Sequence, residues 1–240
     1  AICVELGCRS RIVRTRVAGT LLETAPEVRW AARPTPQRVF VIGLGTSTMA
    51  LWLRASLPRT ELHVAELSPS VVAAAPCFGL NTSDPLLHLH TGDGRAILEA
   101  GADGAYDAIL VDAFDSNASL PDCFQTQEFF ALARRKLAPG GALSLNLIAG
   151  DEMLHILKSL VSNFESKKVF AGGAPGAEGI QSVITAFAPG RPGTPGAGVA
   201  PEQARQWFGA ARYRHLHLAK LVNIGALEDS VKCPAAAAAH

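Results

Sequence analysis

Short apolar segments alternate with amphipathic ones along most of this chain, and that alternation limits its possible folds more than any other feature. The run RVFVIGLG is apolar and ends in glycines, as expected of a strand buried on both faces of a parallel sheet. A helix-like segment, STMALWLRASL, follows it, and similar strand–helix pairs recur as far as residue 164. Strands that alternate with helices predict βαβ units on a parallel sheet with right-handed crossovers.

The pattern changes near the end of this region. The strand-like segments KKVFAGG and GIQSVITAFA are joined by a stretch too short to hold a crossover helix. They are therefore expected to form an antiparallel pair at one edge of the sheet.

The same patterns divide the chain into four parts. Residues 1–38 are predicted to be a short N-terminal extension, and residues 39–188 the α/β domain. Residues 189–201 have the Gly/Pro-rich composition of a linker. Residues 202–240 are predicted to form a helical tail with an apolar face that packs on the domain or docks on another protein.

Composition excludes some classes of function. The 240 residues are 48% hydrophobic and carry a formal net charge of only +1. This balance argues against a nucleic-acid partner bound through a general basic surface. No stretch of the sequence approaches the roughly 18 uninterrupted apolar residues that a transmembrane helix needs.

The cysteines and histidines suggest no metal centre. The five cysteines are scattered and form no CxxC pair, so reduced, partly buried thiols are expected in a reducing compartment such as the cytosol or an organelle interior. His88 and His90 alternate in the third strand and should share one face. A metal site needs more partners than these two, so packing or a strand-end polar role is expected for them.

The first candidate site follows the first strand. Gly43 and Gly45, between a strand and a helix, let the backbone turn sharply and let a ligand approach the main chain near unpaired helix N–H groups. Glu66 ends the next strand, close to the ~20-residue offset expected of a ribose-binding acid. A plain β–α turn and an exposed strand-end acid are the alternative interpretations.

Further acids follow the third and fourth strands. Asp93, in TGDGRAIL, either accepts a hydrogen bond from an exocyclic amine such as that of adenine or caps the next helix. Asp112 closes the fourth strand, and Asp115 lies three residues further on. Because ligands bind at the carboxyl edge of an open α/β sheet, these residues predict a ligand site there.

The order of the segments resembles a known family. The segments are VFVIGLGTS, AELSPSVV, TGDGRAIL, YDAILVDAF and EFFALARRKLAPGGALSLNL. They resemble class I S-adenosylmethionine-dependent transferases, and within these the spermidine-synthase-like branch. The resemblance implies a Rossmann-like α/β fold of the class I methyltransferase type, with a seven-stranded, mostly parallel sheet and an antiparallel edge hairpin.

The resemblance also implies roles for individual residues. The glycine loop and neighbouring Ser47 would line the methionine part of the cofactor, and Glu66 would hold its ribose. Asp93, with adjacent Gly94, would meet the adenine. Asp112 would lie beside the sulfonium or the acceptor amine.

Asp115 would be the acid that orients an ammonium nucleophile or accepts its proton. No metal is implied, because the sulfonium itself supplies the leaving group.

Several functions stay open within this resemblance. Aminopropyltransferases carry an acid in the glycine loop, whereas this loop reads Gly-Leu-Gly-Thr-Ser. Transfer of a methyl group from intact S-adenosylmethionine to a small-molecule or protein acceptor fits the loop better than aminopropyl transfer from the decarboxylated form. The alternative is an inactive subunit of a larger assembly that docks through its tail. Methylthioadenosine is a third candidate ligand.

Overall fold

A computed structural model gives the fold of the chain. It describes residues 36–115, 119–148, 163–164, 166–172, 181–190 and 216–218, together with helical residues 156, 159 and 160. The predicted N-terminal extension, the linker and most of the tail lie outside these ranges, so those boundaries stay predictions.

The described residues contain eight strands in one sheet. The strands are β1 (Arg38–Ile42), β2 (Glu61–Glu66), β3 (Leu87–Thr91), β4 (Tyr106–Val111), β5 (Leu137–Ile148), β6 (Ser166–Gly172), β7 (Gln181–Phe187) and β8 (Leu216–Leu218). Their spatial order is β3-β2-β1-β4-β5-β7-β6-β8.

Four α-helices lie entirely within the described residues. They are α1 (Thr48–Ser56), α2 (Pro69–Ala74), α3 (Gly94–Ala100) and α4 (Gln127–Lys136), and short 3₁₀ turns lie at Ala75–Phe78 and Asp122–Phe124. None of the helices in the described ranges has the length and apolar content needed to span a bilayer.

The sequence signals account for several helix ends. Ser68 caps α2, with its hydroxyl accepting a hydrogen bond from the Val71 N–H, and Pro69 occupies the first helical position. Pro76 ends the α-helical geometry, and the chain continues as a 3₁₀ turn. Helix α4 begins after Thr126, whose hydroxyl accepts from the Phe129 N–H.

The sheet is mostly parallel, as predicted. Strands β1 to β5 pair in parallel, and β7 pairs antiparallel with both β5 and β6. The predicted antiparallel pair near the edge is therefore confirmed. The strand β5 begins directly after α4, and its pairing with β4 shifts in register between Tyr106, opposite Leu137, and Ala108, opposite Ala142.

The predicted count of seven strands is wrong, because the sheet has an eighth strand within the described residues. Leu216–Leu218 pairs antiparallel with β6, in a segment predicted to be helical. The sequence there alternates Leu-His-Leu, which suits a strand. The otherwise open edge of β6 supplies the backbone partners that a local pattern cannot reveal.

Both faces of the sheet are covered. Alternate residues of β1 enter two separate clusters of buried apolar side chains, with Phe40 and Ile42 on one face and Val39 and Val41 on the other. Every residue of β4 is buried. Burial on both faces explains why these strands are continuous apolar runs without alternation.

The prediction of reduced thiols is wrong for two of the cysteines. Cys77 and Cys123 are each disulfide-bonded. Disulfides persist in oxidising environments, so this finding removes the cysteine-based argument for a reducing compartment.

A buried acid fixes the start of β1. Asp107, in β4, is only 4% exposed. Its Oδ2 accepts hydrogen bonds from the backbone N–H groups of Gln37, at 2.6 Å, and Arg38, at 3.1 Å. Two backbone donors at the start of β1 are therefore satisfied by one side chain from the neighbouring strand.

We expect Asp107→Ala to lower the free energy of unfolding by about 2 kcal/mol, because it leaves two backbone donors without their acceptor. Urea denaturation measures the change. Glu99→Ala, which removes an exposed carboxylate from α3, is the matched control and should change stability by less than about 0.5 kcal/mol. Equal denaturation midpoints for the two variants would contradict this role for Asp107.

Candidate functional site

The candidate site lies where the strand order reverses, between β1 and β4. The Asp112 N–H donates to the Ile42 carbonyl at 2.8 Å, which extends the pairing of the two strands beyond their last residues. A Cβ atom on Gly43 would lie 2.2 Å from the carbonyl oxygen of Asp112, and the φ angle of Gly43 is +99°. Close strand packing therefore requires glycine at position 43, whatever binds above it.

Two further residues of the loop have left-handed backbone geometry. Gly45 has a φ angle of +52° and no atom within 4 Å of the position its Cβ would take, so the space beside it is open. Ser47 also has positive φ, at 62°, which is uncommon for a residue with a side chain. Its hydroxyl is buried and has no hydrogen-bond partner among the described residues.

Glu66 ties the loop to the second strand. Its Oε2 accepts hydrogen bonds from the Leu44 N–H at 2.9 Å and the Gly45 N–H at 3.5 Å. Its Oε1 accepts from the Ser68 N–H at 2.9 Å, at the start of α2. The carboxylate therefore lies against the glycine loop, as the predicted site requires.

The third strand brings its turn to the same edge. The Gly92 N–H donates to the Glu66 carbonyl at 2.8 Å. Asp93 is exposed and caps α3, with Oδ1 accepting from the Arg95 N–H at 2.9 Å. A Cβ atom on Gly94 would lie 2.6 Å from the side chain of Ile42, so this glycine lets α3 pack closely on β1.

A buried amide holds the acid of the fourth strand. The Asn146 side chain lies in β5, is fully buried, and donates from Nδ2 to Asp112 Oδ1 at 2.7 Å. Burial raises the pKa of the Asp112 carboxyl, and the hydrogen bond from Asn146 offsets part of that rise. Asp112 is therefore a stronger base than an ordinary aspartate.

Asp115 occupies a different environment. It is exposed, and its Oδ1 accepts from the Ser119 N–H at 3.0 Å. Its own N–H donates to the Ser119 carbonyl at 2.9 Å. These bonds join Asp115 to Ser119, and residues 116–118 between them lie outside the described ranges.

Curated proteins with sequence similarity include members of two enzyme groups. The chain is 30% identical over 143 residues to a spermidine synthase of Coffea arabica, covering 58% of this chain and 44% of that protein. It is 32% identical over 144 residues to putrescine N-methyltransferase 3 of Nicotiana tabacum, covering 58% of this chain and 37% of that protein. The matched region is thus less than half the length of either relative. No protein-family model matches the chain.

Two solved structures have folds similar to that of this chain. Human methyltransferase-like protein 13, crystallised with SAH, has a TM-score of 0.65 at 24% identity over 80% of this chain and 90% of its own. A probable spermidine synthase from Corynebacterium glutamicum has a TM-score of 0.61 at 21% identity over 71% of this chain and 63% of its own.

The chain therefore has the methyltransferase fold and is similar in sequence to spermidine synthases and to a putrescine N-methyltransferase. The glycine loop, Glu66 and Asp112 lie together at the carboxyl edge of its sheet, and backbone hydrogen bonds link them through Ile42 and Ala65. Asp93 follows at the end of β3. The roles that the resemblance implies for these residues remain predictions.

Sequence reasoning missed one residue of this site. Asn146 stands in the segment LSLNLI, where a polar residue interrupts an otherwise apolar strand. That interruption was the available signal, because a fully buried amide requires a polar partner. Its partner, Asp112, lies 34 residues away and became identifiable only when β4 and β5 paired.

We expect Ser47→Gly to raise the free energy of unfolding by about 1 kcal/mol. Left-handed geometry costs a residue with a side chain roughly 1–2 kcal/mol, and the greater freedom of glycine in the unfolded chain offsets part of the gain. Ser47→Ala, which removes the buried hydroxyl but keeps Cβ, is the matched comparison. Urea denaturation that finds Ser47→Gly no more stable than Ser47→Ala would refute strain at this position.

Proposed function

We propose that the chain binds S-adenosylmethionine at the carboxyl edge of the sheet and transfers its methyl group to a small-molecule or protein acceptor. The observation that carries this proposal is the Glu66 carboxylate, held against the open glycine loop at the strand-order reversal. Open α/β sheets bind ligands at such a reversal.

The loop fits the cofactor on two counts. The open space beside Gly45 allows a ligand to approach the backbone, and Ser47 carries a buried hydroxyl with unused hydrogen-bonding capacity among the described residues. Glu66 would hold the ribose hydroxyls, since each carboxylate oxygen can accept more than one hydrogen bond. Asp93 would accept from the adenine amine while it caps α3.

The loop composition favours the intact cofactor over the decarboxylated form. From Gly43 to Ser47 the loop contains no acid that would repel the carboxylate of the methionine part. The N–H groups at the start of α1 attract a carboxylate in addition. The similarity to a putrescine N-methyltransferase and to a structure crystallised with SAH supports methyl transfer.

When bound, the cofactor supplies an activated methyl group, so the remaining task is to prepare the acceptor. Asp112 suits this task if the acceptor is an amine. Its raised pKa makes it a better proton acceptor than an exposed aspartate, and Asn146 fixes its orientation. Asp115, which is exposed, would orient the acceptor.

Calorimetric titration tests the proposal with three ligands: S-adenosylmethionine, its decarboxylated form and methylthioadenosine. We expect micromolar binding of S-adenosylmethionine, at least about tenfold weaker in Glu66→Ala because the ribose hydroxyls lose their acceptor. Glu99→Ala is the matched control and should bind as tightly as the unaltered chain. No heat with any of the three ligands would reject cofactor binding.

The same titration separates the remaining alternatives. Preference for the decarboxylated form would favour aminopropyl transfer over methyl transfer. The hydrogen bonds that Glu66 already accepts from three backbone N–H groups favour the second candidate, an inactive subunit that uses the acid to hold its own loop. In that case Glu66→Ala would lower stability and no ligand would bind.

The Asp112–Asn146 pair predicts a measurable titration. Removing the Asn146 donor in Asn146→Ala takes away the one interaction that lowers the pKa of Asp112, so that pKa should rise further above the ordinary value of about 3.9. Carbon-13 NMR of the side-chain carboxyl, assigned by its loss in Asp112→Asn, follows the titration.

Ser144→Ala is the control for this titration. Ser144 is also fully buried in β5, but its hydroxyl pairs with Thr185. This variant should leave the Asp112 midpoint in place. A midpoint that does not rise in Asn146→Ala would show that Asn146 does not stabilise the ionised carboxylate.

A further inference from the structure

A second cluster of polar side chains lies on β2 and β3, near the amino end of β2. Glu61 and His63 alternate in β2, and His88 and His90 alternate in β3. The register places His63 opposite His88 and Ala65 opposite His90. Because side chains two residues apart share a face, all four polar side chains stand on the same face of the sheet.

Three of these side chains bring atoms that could bind a metal ion close to one another. Glu61 Oε1 lies 3.0 Å from His63 Nε2 and 3.3 Å from His88 Nε2. The three ligand atoms all lie within 4.8 Å of each other. A tetrahedral Zn²⁺ ion with bonds of about 2.1 Å holds its ligands about 3.4 Å apart, so these distances nearly match those around a shared ion.

Two further residues, Arg38 and His90, fix the orientation of Glu61 and His63. Arg38 donates to Glu61 Oε2 from Nε at 2.9 Å and from Nη2 at 2.7 Å, which leaves Oε1 facing the histidines. His63 Nδ1 lies 3.1 Å from His90 Nε2. The other ring nitrogen of His63, Nε2, therefore faces Glu61. A metal-binding histidine commonly uses its second ring nitrogen in such a hydrogen bond, which sets its tautomer.

We propose that Glu61, His63 and His88 form a binding site for a divalent transition-metal ion of the Zn²⁺ class, with Arg38 and His90 as its supporting shell. Two imidazoles and one carboxylate suit Zn²⁺ or its neighbours in the first transition row better than Mg²⁺ or Ca²⁺, which prefer oxygen ligands. In the sequence, His88 and His90 alone were too few to predict a metal site. Strand β2 supplies the further ligands, Glu61 and His63.

The site opens to solvent on one side. The side chain of His88 is 40% exposed, that of Glu61 29% and that of His63 17%. An ion bound by three protein ligands therefore keeps a coordination position for water or for a group on another molecule. By joining β2 to β3, the ion would also tie down the outermost strand on this side of the sheet.

The metal site is independent of the proposed cofactor site. Glu61 begins β2 and Glu66 ends it, and five steps of about 3.3 Å separate them by roughly 16 Å. A substitution at one site should therefore leave the other site unaffected. Glu66→Ala should leave metal binding intact.

Titration of the full chain with Zn²⁺ and Co²⁺, after removal of bound metal with a chelator, tests the proposal. We expect one equivalent of metal to be lost in His63→Ala and in His88→Ala, and metal to raise the thermal midpoint of the unaltered chain. His90→Ala should still bind metal, with affinity reduced about 10- to 100-fold, the range typical of a supporting residue. The Co²⁺ complex should show no thiolate charge-transfer band from this site, because its ligands are nitrogen and oxygen.

His88→Ala is the decisive variant because the His88 side chain is the least buried of the three proposed ligands. Its denaturation midpoint in chelator, compared with that of the unaltered chain, confirms that it folds. Unchanged metal stoichiometry and affinity in His88→Ala would overturn the proposal, as would the absence of any bound Zn²⁺ or Co²⁺. In either case the cluster would be a hydrogen-bonded histidine stack that only joins the two strands.

Discussion

The close approach of β1 and β4 at their carboxyl ends is the constraint on which the candidate site depends. The Asp112 N–H reaches the Ile42 carbonyl, and the Asp112 carbonyl occupies the space that a Cβ atom on Gly43 would need. The chain can leave β1 only through a glycine with positive φ. The loop then runs in left-handed steps through Gly45 and Ser47 before α1 begins.

Glu66 stabilises that loop by accepting hydrogen bonds from the backbone it exposes. The acid that holds the loop is also the acid that would hold the ribose of the proposed cofactor. Ser47 adds a strained backbone and a buried hydroxyl with no partner among the described residues. Strain and unsatisfied polar groups concentrate at functional sites, where surrounding structure compensates for them.

Strand β2 joins two regions of different chemistry. Its carboxyl end presents Glu66 to the glycine loop, and its amino end presents Glu61 and His63 to β3. The carboxyl end lies at the strand-order reversal, where the fold places ligands. The amino end borders the outermost strand on its side of the sheet, where partial exposure allows imidazole and carboxylate groups to lie on the sheet face without complete desolvation.

Much of the fold and part of the site could be predicted from local patterns. Apolar runs predict buried strands, and Ser68-Pro69 indicates the start of a helix. The short connection between β6 and β7 predicts their antiparallel pairing. The positions of Glu66 and Asp93 at the carboxyl edge were predictable, because an acid at the end of a parallel strand lies at that edge of the sheet. Their geometry also shows the limit, since Asp93 caps α3 and Glu66 binds the loop whatever the ligand.

The sequence by itself determined the alternation of strands and helices, the glycine turn and the order of the acids along the chain, because each depends on neighbouring residues. Tertiary structure alone decided which distant side chains meet. Asn146 reaches Asp112, His63 meets His88, and Leu216–Leu218 pairs with β6, each across an interval set by strand pairing. Such pairs depend on strand order and register, and a local hydrophobic pattern encodes neither.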